Sequence, residues 1–205
     1  MVATSQPMAT QTGLAVLRAG GNAMDAAIAA SAVLCVTEPH ATGIGGDCFL
    51  LYHEAKTGRL HGLNGSGRAP ARASLEEFER RGLAQVPEQG MLSVIVPGAV
   101  DAWHTALERF GTRGFDELLR PAIALAEEGY AVTPVVAKSW KNLEPLLDLH
   151  RESRRDFLAD GHAPAAGTVY RLPRLAASLR RIADGGRDAF YNGPIAQEIV
   201  RHSRA

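Results

Sequence analysis

Neither sign of charge is in excess: lysine plus arginine and aspartate plus glutamate each total 22, so the net charge at pH 7 is zero. Without a basic surplus the chain lacks the electrostatic footprint of a nucleic-acid binder or of a protein held to an anionic membrane, and neither is expected as a partner. Cysteine is scarce, with only Cys35 and Cys48, both in apolar stretches. Two thiols so placed read as buried and reduced, and do not suggest a disulfide framework. Long hydrophobic runs are missing too. The longest, from Ala23 to Val36, is interrupted by Asp25 and is too short to span a bilayer. Met1-Val2-Ala3-Thr4 opens with no basic segment leading into an apolar core, so no secretory signal is read there.

What the chain has is apolar bulk. Hydrophobic residues make up 46% of 205 positions, enough for one well-cored soluble domain. No repeat or low-complexity linker divides it.

The organising stretch runs from Gly20 to Gly67. Gly20-Gly21 breaks what precedes, Asn22 caps a helix, Asp25 sits in its first turn where the dipole favours an acid, and Pro39 ends it. Alanines and bulky residues cover this helix with almost no charged face, which predicts burial on most sides. Then follow a glycine loop (Gly43, Gly45, Gly46), a strand from Cys48 to Tyr52, a turn at Lys56-Thr57-Gly58 and a returning strand from Leu60 to Leu63. Phosphate cradles need strand, loop, helix, and the order here is helix, loop, strand. With neither GxGxxG nor GxxxxGK[ST] present, a nucleotide site is not expected. The glycines instead suggest close approach of backbone to backbone, or to a ligand at the strand edge.

Along the rest of the chain, Met1 to Thr4 is expected as a short strand, and a helix opened by Pro7 carries Ala9, Gly13, Val16 and Leu17 on one face. Ser74 and Glu77 form a capping-box pattern for a short helix. Gly82 to Gly90 reads as a loop and Met91 to Val96 as a strand stopped by Pro97-Gly98. Val100, Trp103, His104, Leu107 and Phe110 share a helix face, with His104 expected as a hydrogen-bonded core residue. Further helices are expected from Pro121 to Gly129, after Thr133-Pro134, across Leu172, Leu175, Leu179 and Ile182, and after Pro194, while the charged cluster Arg151 to Asp156 reads as a solvated helix or a peripheral excursion.

Gly20-Gly21-Asn22-Ala23 with Asp25-Ala26-Ala27, Glu38-Pro39-His40, Gly43-Ile44-Gly45-Gly46, Val96-Pro97-Gly98-Ala99-Val100, Pro121 through Gly129 and Asp188-Ala189-Phe190-Tyr191 occur in this order. In that order the motifs resemble the N-terminal part of the large subunit of the γ-glutamyltranspeptidase (glutathione hydrolase) family, across almost the whole chain. The resemblance implies a helix-rich α/β fold, part of the αββα sandwich of the N-terminal-nucleophile hydrolases and incomplete in this chain. It also implies a precursor that cleaves itself so that a threonine becomes the first residue of a small subunit, its amine activating its hydroxyl for attack on an amide.

In the family that threonine opens a Thr-Thr-His-like segment, and none of Thr4, Thr10, Thr12, Thr37, Thr42, Thr57, Thr105, Thr112, Thr133 and Thr168 does so here. The chain is therefore expected to be a fragment of one domain, residues 1–205, that contains no catalytic residue, is inactive alone, and has the rest of its precursor as partner. The resemblance also implies a carboxylate-binding arginine in an Arg-Glu-x-Ala-Pro segment after the hairpin. Here the segment is Ser66-Gly67-Arg68-Ala69-Pro70, so Ser66 stands where the arginine would be. Arg68, two residues on and on the same side of an extended strand, is the alternative carboxylate ligand, or else a solvated loop arginine. Asn64-Gly65-Ser66-Gly67-Arg68-Ala69-Pro70 looks like the loop of the oxamate amidohydrolase-like branch. Asn64, Ser66 and Arg68 are the candidate substrate-binding residues, for a γ-glutamyl or other small amide.

No cofactor or metal is expected, because His40, His53 and His61 lack zinc-ligand spacing, and Gly65-Ser66-Gly67 is not a nucleophile elbow. The competing class is a binding or structural module that kept the scaffold and lost the chemistry.

Overall fold

The computed structural model describes residues 1–204. Helix α1 (Pro7–Arg18) opens on proline, whose locked φ and missing amide suit a first turn. Helix α2 (Ala23–Thr37) begins at a complete capping box. The Asn22 side chain accepts from the amides of Met24 and Asp25 at 2.9 and 3.0 Å, and the Asp25 carboxylate accepts from the Asn22 amide at 2.9 Å. Met24, Ile28, Val33 and Val36 are buried on this helix, each stabilising by about 1.5–3 kcal/mol. Its buried alanines let neighbouring helices come close.

Strands β1 (Cys48–Glu54) and β2 (Arg59–Gly65) form an antiparallel hairpin, with Cys48 opposite Gly65 and Glu54 opposite Arg59. Alternation gives it two faces. Leu50 and Tyr52 turn to the core, where the Tyr52 ring lies 4.6 Å from Phe110. Phe49, Leu51 and Leu60 point the other way and are 68%, 78% and 67% exposed.

After α3 (Leu75–Arg80) come α4 (Ala99–Phe110), α5 (Phe115–Leu118) and α6 (Arg120–Glu128). Strand β3 (Tyr130–Ala131) precedes α7 (Pro134–Asn142), α8 (Glu144–Leu147) and α9 (Arg151–Phe157), and β4 (Val169–Tyr170) returns to pair with β3. Last are α10 (Pro173–Tyr191), kinked at Gly186, and α11 (Pro194–Ser203). Helix α2 packs on α1, α4, α5 and α6, and α10 covers α4, α5 and α6 from another side. Trp103, Trp140 and Phe190 fill the core.

Three local expectations are corrected, and a fourth, the capped helix after Ser74, holds without its reciprocal Glu77 bond. Met1 to Thr4 is not a strand, since no segment among the described residues offers it a ladder, and Thr4 bonds locally to Gln6 and Thr10. Met91 to Val96 is a 3-10 turn (Met91–Ser93) and an irregular segment. Met91, Leu92, Val94 and Val96 remain 37–44% exposed, because among the described residues nothing pairs with this segment as a sheet. His104 is not in the core; it sits at the helix edge, Nε2 3.3 Å from Glu108. Ser74 caps α3, but Glu77 turns to Arg80 and Arg81, whose hydrogen bonds hold its carboxyl down to about 2. The small β3–β4 ribbon and α5 had no readable sequence signal. Both thiols are free; burial pushes Cys35 up to about 11, and Cys48 is raised by the same cause.

Asp25 does more than face a helix dipole. It is fully buried, and beyond the Asn22 amide it accepts from the Thr112 hydroxyl at 2.5 Å and from the amides of Thr112 and Arg113 at 2.8 and 3.2 Å. Asn22 meanwhile donates to the Phe110 carbonyl at 2.6 Å. The start of α2 is thus tied to the exit of α4. Burial alone would raise the carboxyl's pKa, but the Thr112 hydroxyl and the amides of Asn22, Thr112 and Arg113 outweigh it and hold it below its ordinary 3.8.

Asp25→Ala leaves three backbone donors without their acceptor and is expected to cost about 3 kcal/mol or more in urea unfolding of the protein that carries this chain. A loss under about 1 kcal/mol would mean that water replaces the carboxylate. Since the folded state binds this proton less tightly than the unfolded chain, Asp25's contribution is full above the unfolded value near 3.8 and fades as pH falls below it. The difference between wild type and Asp25→Ala should therefore shrink in acid.

Candidate functional site

Three glycine-bearing turns meet where the hairpin ends. The carbonyl of Gly46, in the loop before β1, accepts from the amides of Gly98 and Ala99 at 3.0 and 2.9 Å and so caps the N-terminus of α4. Gly98 lies against Gly65 and Gly67; a Cβ added to it would overlap the Gly65 carbonyl oxygen and come within 2.6 Å of the Gly67 amide. Gly67 has φ +76°, and a Cβ there would overlap the Val96 carbonyl. Beyond it the Val96 amide donates to the Arg68 carbonyl at 2.9 Å. The close approach expected of the glycine loop is thus made through the Gly46 carbonyl, whereas Gly43 and Gly45 would meet no neighbour if given side chains.

Asn64 lies near the end of β2 opposite Phe49, exposed, and its Oδ1 accepts from the Ser66 amide at 3.0 Å. That bond folds the chain out of the strand as an Asx turn. Ser66 is half-buried and Arg68 is exposed. The expected extended strand on which Ser66 and Arg68 would share a side is absent: β2 stops at Gly65, and Gly67 between them is left-handed. Arg80, Arg81, Arg113 and Arg187 all pair with carboxylates, whereas Arg68 forms no ion pair among the described residues. Its register comes from its backbone, and its guanidinium is open to solvent.

A groove of about 1060 Å³ runs beside this loop between α3, residues 91–97 and the α10–α11 corner, lined by Phe78, Leu92, Ile95, Phe190 and Val200. Neither Asn64, Ser66 nor Arg68 lines it. No group of three or more histidine, cysteine, aspartate or glutamate side chains that could hold a metal ion occurs among the described residues. No helix there is long and apolar enough to cross a membrane.

Sequence reasoning missed Tyr191, which belongs to the site's support. Its hydroxyl donates to the Pro97 carbonyl at 2.7 Å and accepts from the Asp101 amide at 3.1 Å. The Asp-Ala-Phe-Tyr motif marked the residue but not its contact more than ninety positions upstream.

The fold that carries this loop is shared with N-terminal-nucleophile hydrolases of the transpeptidase and acylase kind. The gamma-glutamyltranspeptidase family profile matches residues 9–205, and the chain belongs to that family. It is 38% identical over 206 residues to the glutathione hydrolase-like YwrD proenzyme of Bacillus subtilis, covering 98% of this chain and 38% of that protein. To the oxamate amidohydrolase proenzyme of Klebsiella pneumoniae it is 34% identical, with 98% and 39% covered. The structure superposes on Helicobacter pylori gamma-glutamyltranspeptidase with a TM-score of 0.92 at 32% identity, covering 98% of this chain and 58% of that one. For the cephalosporin acylase of Bacillus halodurans the TM-score is 0.89 at 43% identity, with 96% and 38% covered. The helix-rich α/β fold is thus part of that sandwich. The chain spans under two fifths of the length of these two curated relatives.

Gly67→Ala tests the brace. A side chain at positive φ that also meets the Val96 carbonyl should destabilise by about 2 kcal/mol or more, or displace the loop. A variant with unchanged thermal midpoint and unchanged tryptic cleavage after Arg68 would show that the contact is not tight.

Proposed function

We propose that this chain is the N-terminal portion of the large subunit of an autoprocessing γ-glutamyltransferase or glutathione hydrolase-like amidase, whose threonine nucleophile lies outside it. In this reading the chain supplies scaffold and a substrate-binding loop. The rest of the precursor supplies the nucleophile, whose amine takes the hydroxyl proton so that the alkoxide attacks the amide carbonyl and forms an acyl-enzyme. Two features support it: the family match running through residues 9–205, and the uncovered apolar face of Phe49, Leu51 and Leu60, which suits a sheet that receives a second layer.

The observation that carries the substrate assignment is Arg68, an exposed guanidinium without an ion-pair partner, held by its backbone at the hairpin exit. It suits the carboxylate of a small acidic amide through charge-assisted, bidentate bonds. Asn64 and Ser66 shape the loop around it. One observation favours a related amidohydrolase or acylase over a glutathione hydrolase: the family's Arg-Glu pair is replaced by Ser66-Gly67. Gly67, at φ +76° against Val96, leaves no room for a glutamate on this backbone path.

Arg68→Ala in the self-processed full-length protein should lower kcat/KM about ten- to a hundredfold for acidic substrates and much less for a neutral amide. Ser66→Arg should raise γ-glutamyl turnover if a guanidinium at that position is what the scaffold lacks. Equal losses on acidic and neutral substrates for Arg68→Ala would end the carboxylate role. The 205-residue chain alone, purified free of host enzyme, should release nothing from a γ-glutamyl anilide above a buffer blank, and turnover there would refute the missing nucleophile. An open reading frame that continues past residue 205 into a threonine-led segment supports the amidase; a stop codon at that point supports a non-catalytic module.

A further inference from the structure

We infer that Tyr191 is a positioning residue for substrate selection, acting through residues 96–98 to set the loop that carries Arg68. The inference rests on the proposed role of Arg68, and the two can fail separately.

The Tyr191 hydroxyl joins two points of one turn, donating to the Pro97 carbonyl and accepting from the Asp101 amide. The Asp101 amide lies in the first turn of α4, where no carbonyl of its own helix can receive it, so the tyrosine satisfies an otherwise orphaned donor. Pro97 cannot donate, and its carbonyl is held from outside the segment by this hydroxyl alone among the hydrogen bonds of the described residues. Its neighbours are the residues that touch the loop: the Val96 amide bonds the Arg68 carbonyl, and Gly98 packs against Gly65 and Gly67. Fixing the Pro97 carbonyl therefore fixes both contacts that register Arg68.

The tyrosine is itself held. Its ring meets Phe190 edge-on at 4.8 Å, the Arg187 guanidinium lies 4.8 Å above it, and Arg187 pairs with Asp101. Burial raises the phenol's pKa, so the hydroxyl keeps its proton and its two bonds at neutral pH. A guanidinium whose only registration is its backbone transmits any slack in that backbone directly to the distance it keeps from a bound carboxylate.

Tyr191→Phe removes the hydroxyl and leaves the ring contacts. In the self-processed full-length protein we expect KM for an acidic amide to rise about five- to thirtyfold with kcat within about twofold, and little change for a neutral amide. Tryptic cleavage after Arg68 should quicken to a similar extent. Tyr170→Phe, which loses a bond to the Asp156 carbonyl in α9, is the control and should do neither. On an Arg68→Ala background Tyr191→Phe should add no further loss in acidic-substrate KM.

If Arg68→Ala proves non-selective while Tyr191→Phe still speeds cleavage at Arg68, the carboxylate reading fails but the brace stands. If Arg68→Ala is selective and Tyr191→Phe changes neither acidic-substrate KM nor cleavage, or lowers kcat equally on both substrates, the positioning role is overturned. Cleavage that quickens without any change in KM overturns it as a selectivity device.

Discussion

The buried Asp25 carboxylate is the contact on which the helical body depends. A charge out of water with no cation beside it is tolerated only because hydrogen bonds replace its hydration, and four donors do so: the amides of Asn22, Thr112 and Arg113 and the Thr112 hydroxyl. Because these donors come from two places far apart in the chain, satisfying the carboxylate fixes the start of α2 against the exit of α4. Arg113 extends the junction by pairing with Glu117 and donating to the Ala19 carbonyl, which brings in the end of α1.

The other end of α4 carries this order to the loop at the hairpin exit. Its first turn is capped by the Gly46 carbonyl, and Gly98 just before it wedges under Gly65 and Gly67. One rigid helix therefore relates the Asp25 junction to the hairpin exit. The loop itself contributes little apolar area, since Asn64, Gly67 and Arg68 are exposed. Its precision comes from backbone contacts that tolerate no Cβ, which is why glycine recurs in segments far apart in sequence.

Local signals in the sequence were legible wherever the cause of structure was local. Prolines at first turns, the Asn22 cap, the Thr57-Gly58 turn and helical spacing of apolar residues all act within a few positions. The helices α1, α2, α4, α6, α7, α10 and α11 and the hairpin follow from them. The expected strand at Met91 to Val96 failed because a run of β-branched residues is a strand only if another chain segment completes its ladder. None of the described residues does so. His104 failed for a different reason: one residue's turn along a helix separates the core face from the edge, and Glu108 one turn on draws the imidazole outward.

At the candidate site the sequence by itself determined which residues are present, and that the guanidinium stands at Arg68 with a serine at position 66. It also determined that no threonine in the chain matches the family's nucleophile segment. Only the tertiary structure decided that β2 stops at Gly65 with a left-handed Gly67 beyond it, that Asn64 folds the loop, and that Tyr191 reaches back to Pro97. Propensity and capping are short-range and can be read from a window of residues. Hydrogen bonds across ninety residues, and the exclusion of a Cβ by a distant carbonyl, exist only once packing has brought those atoms together.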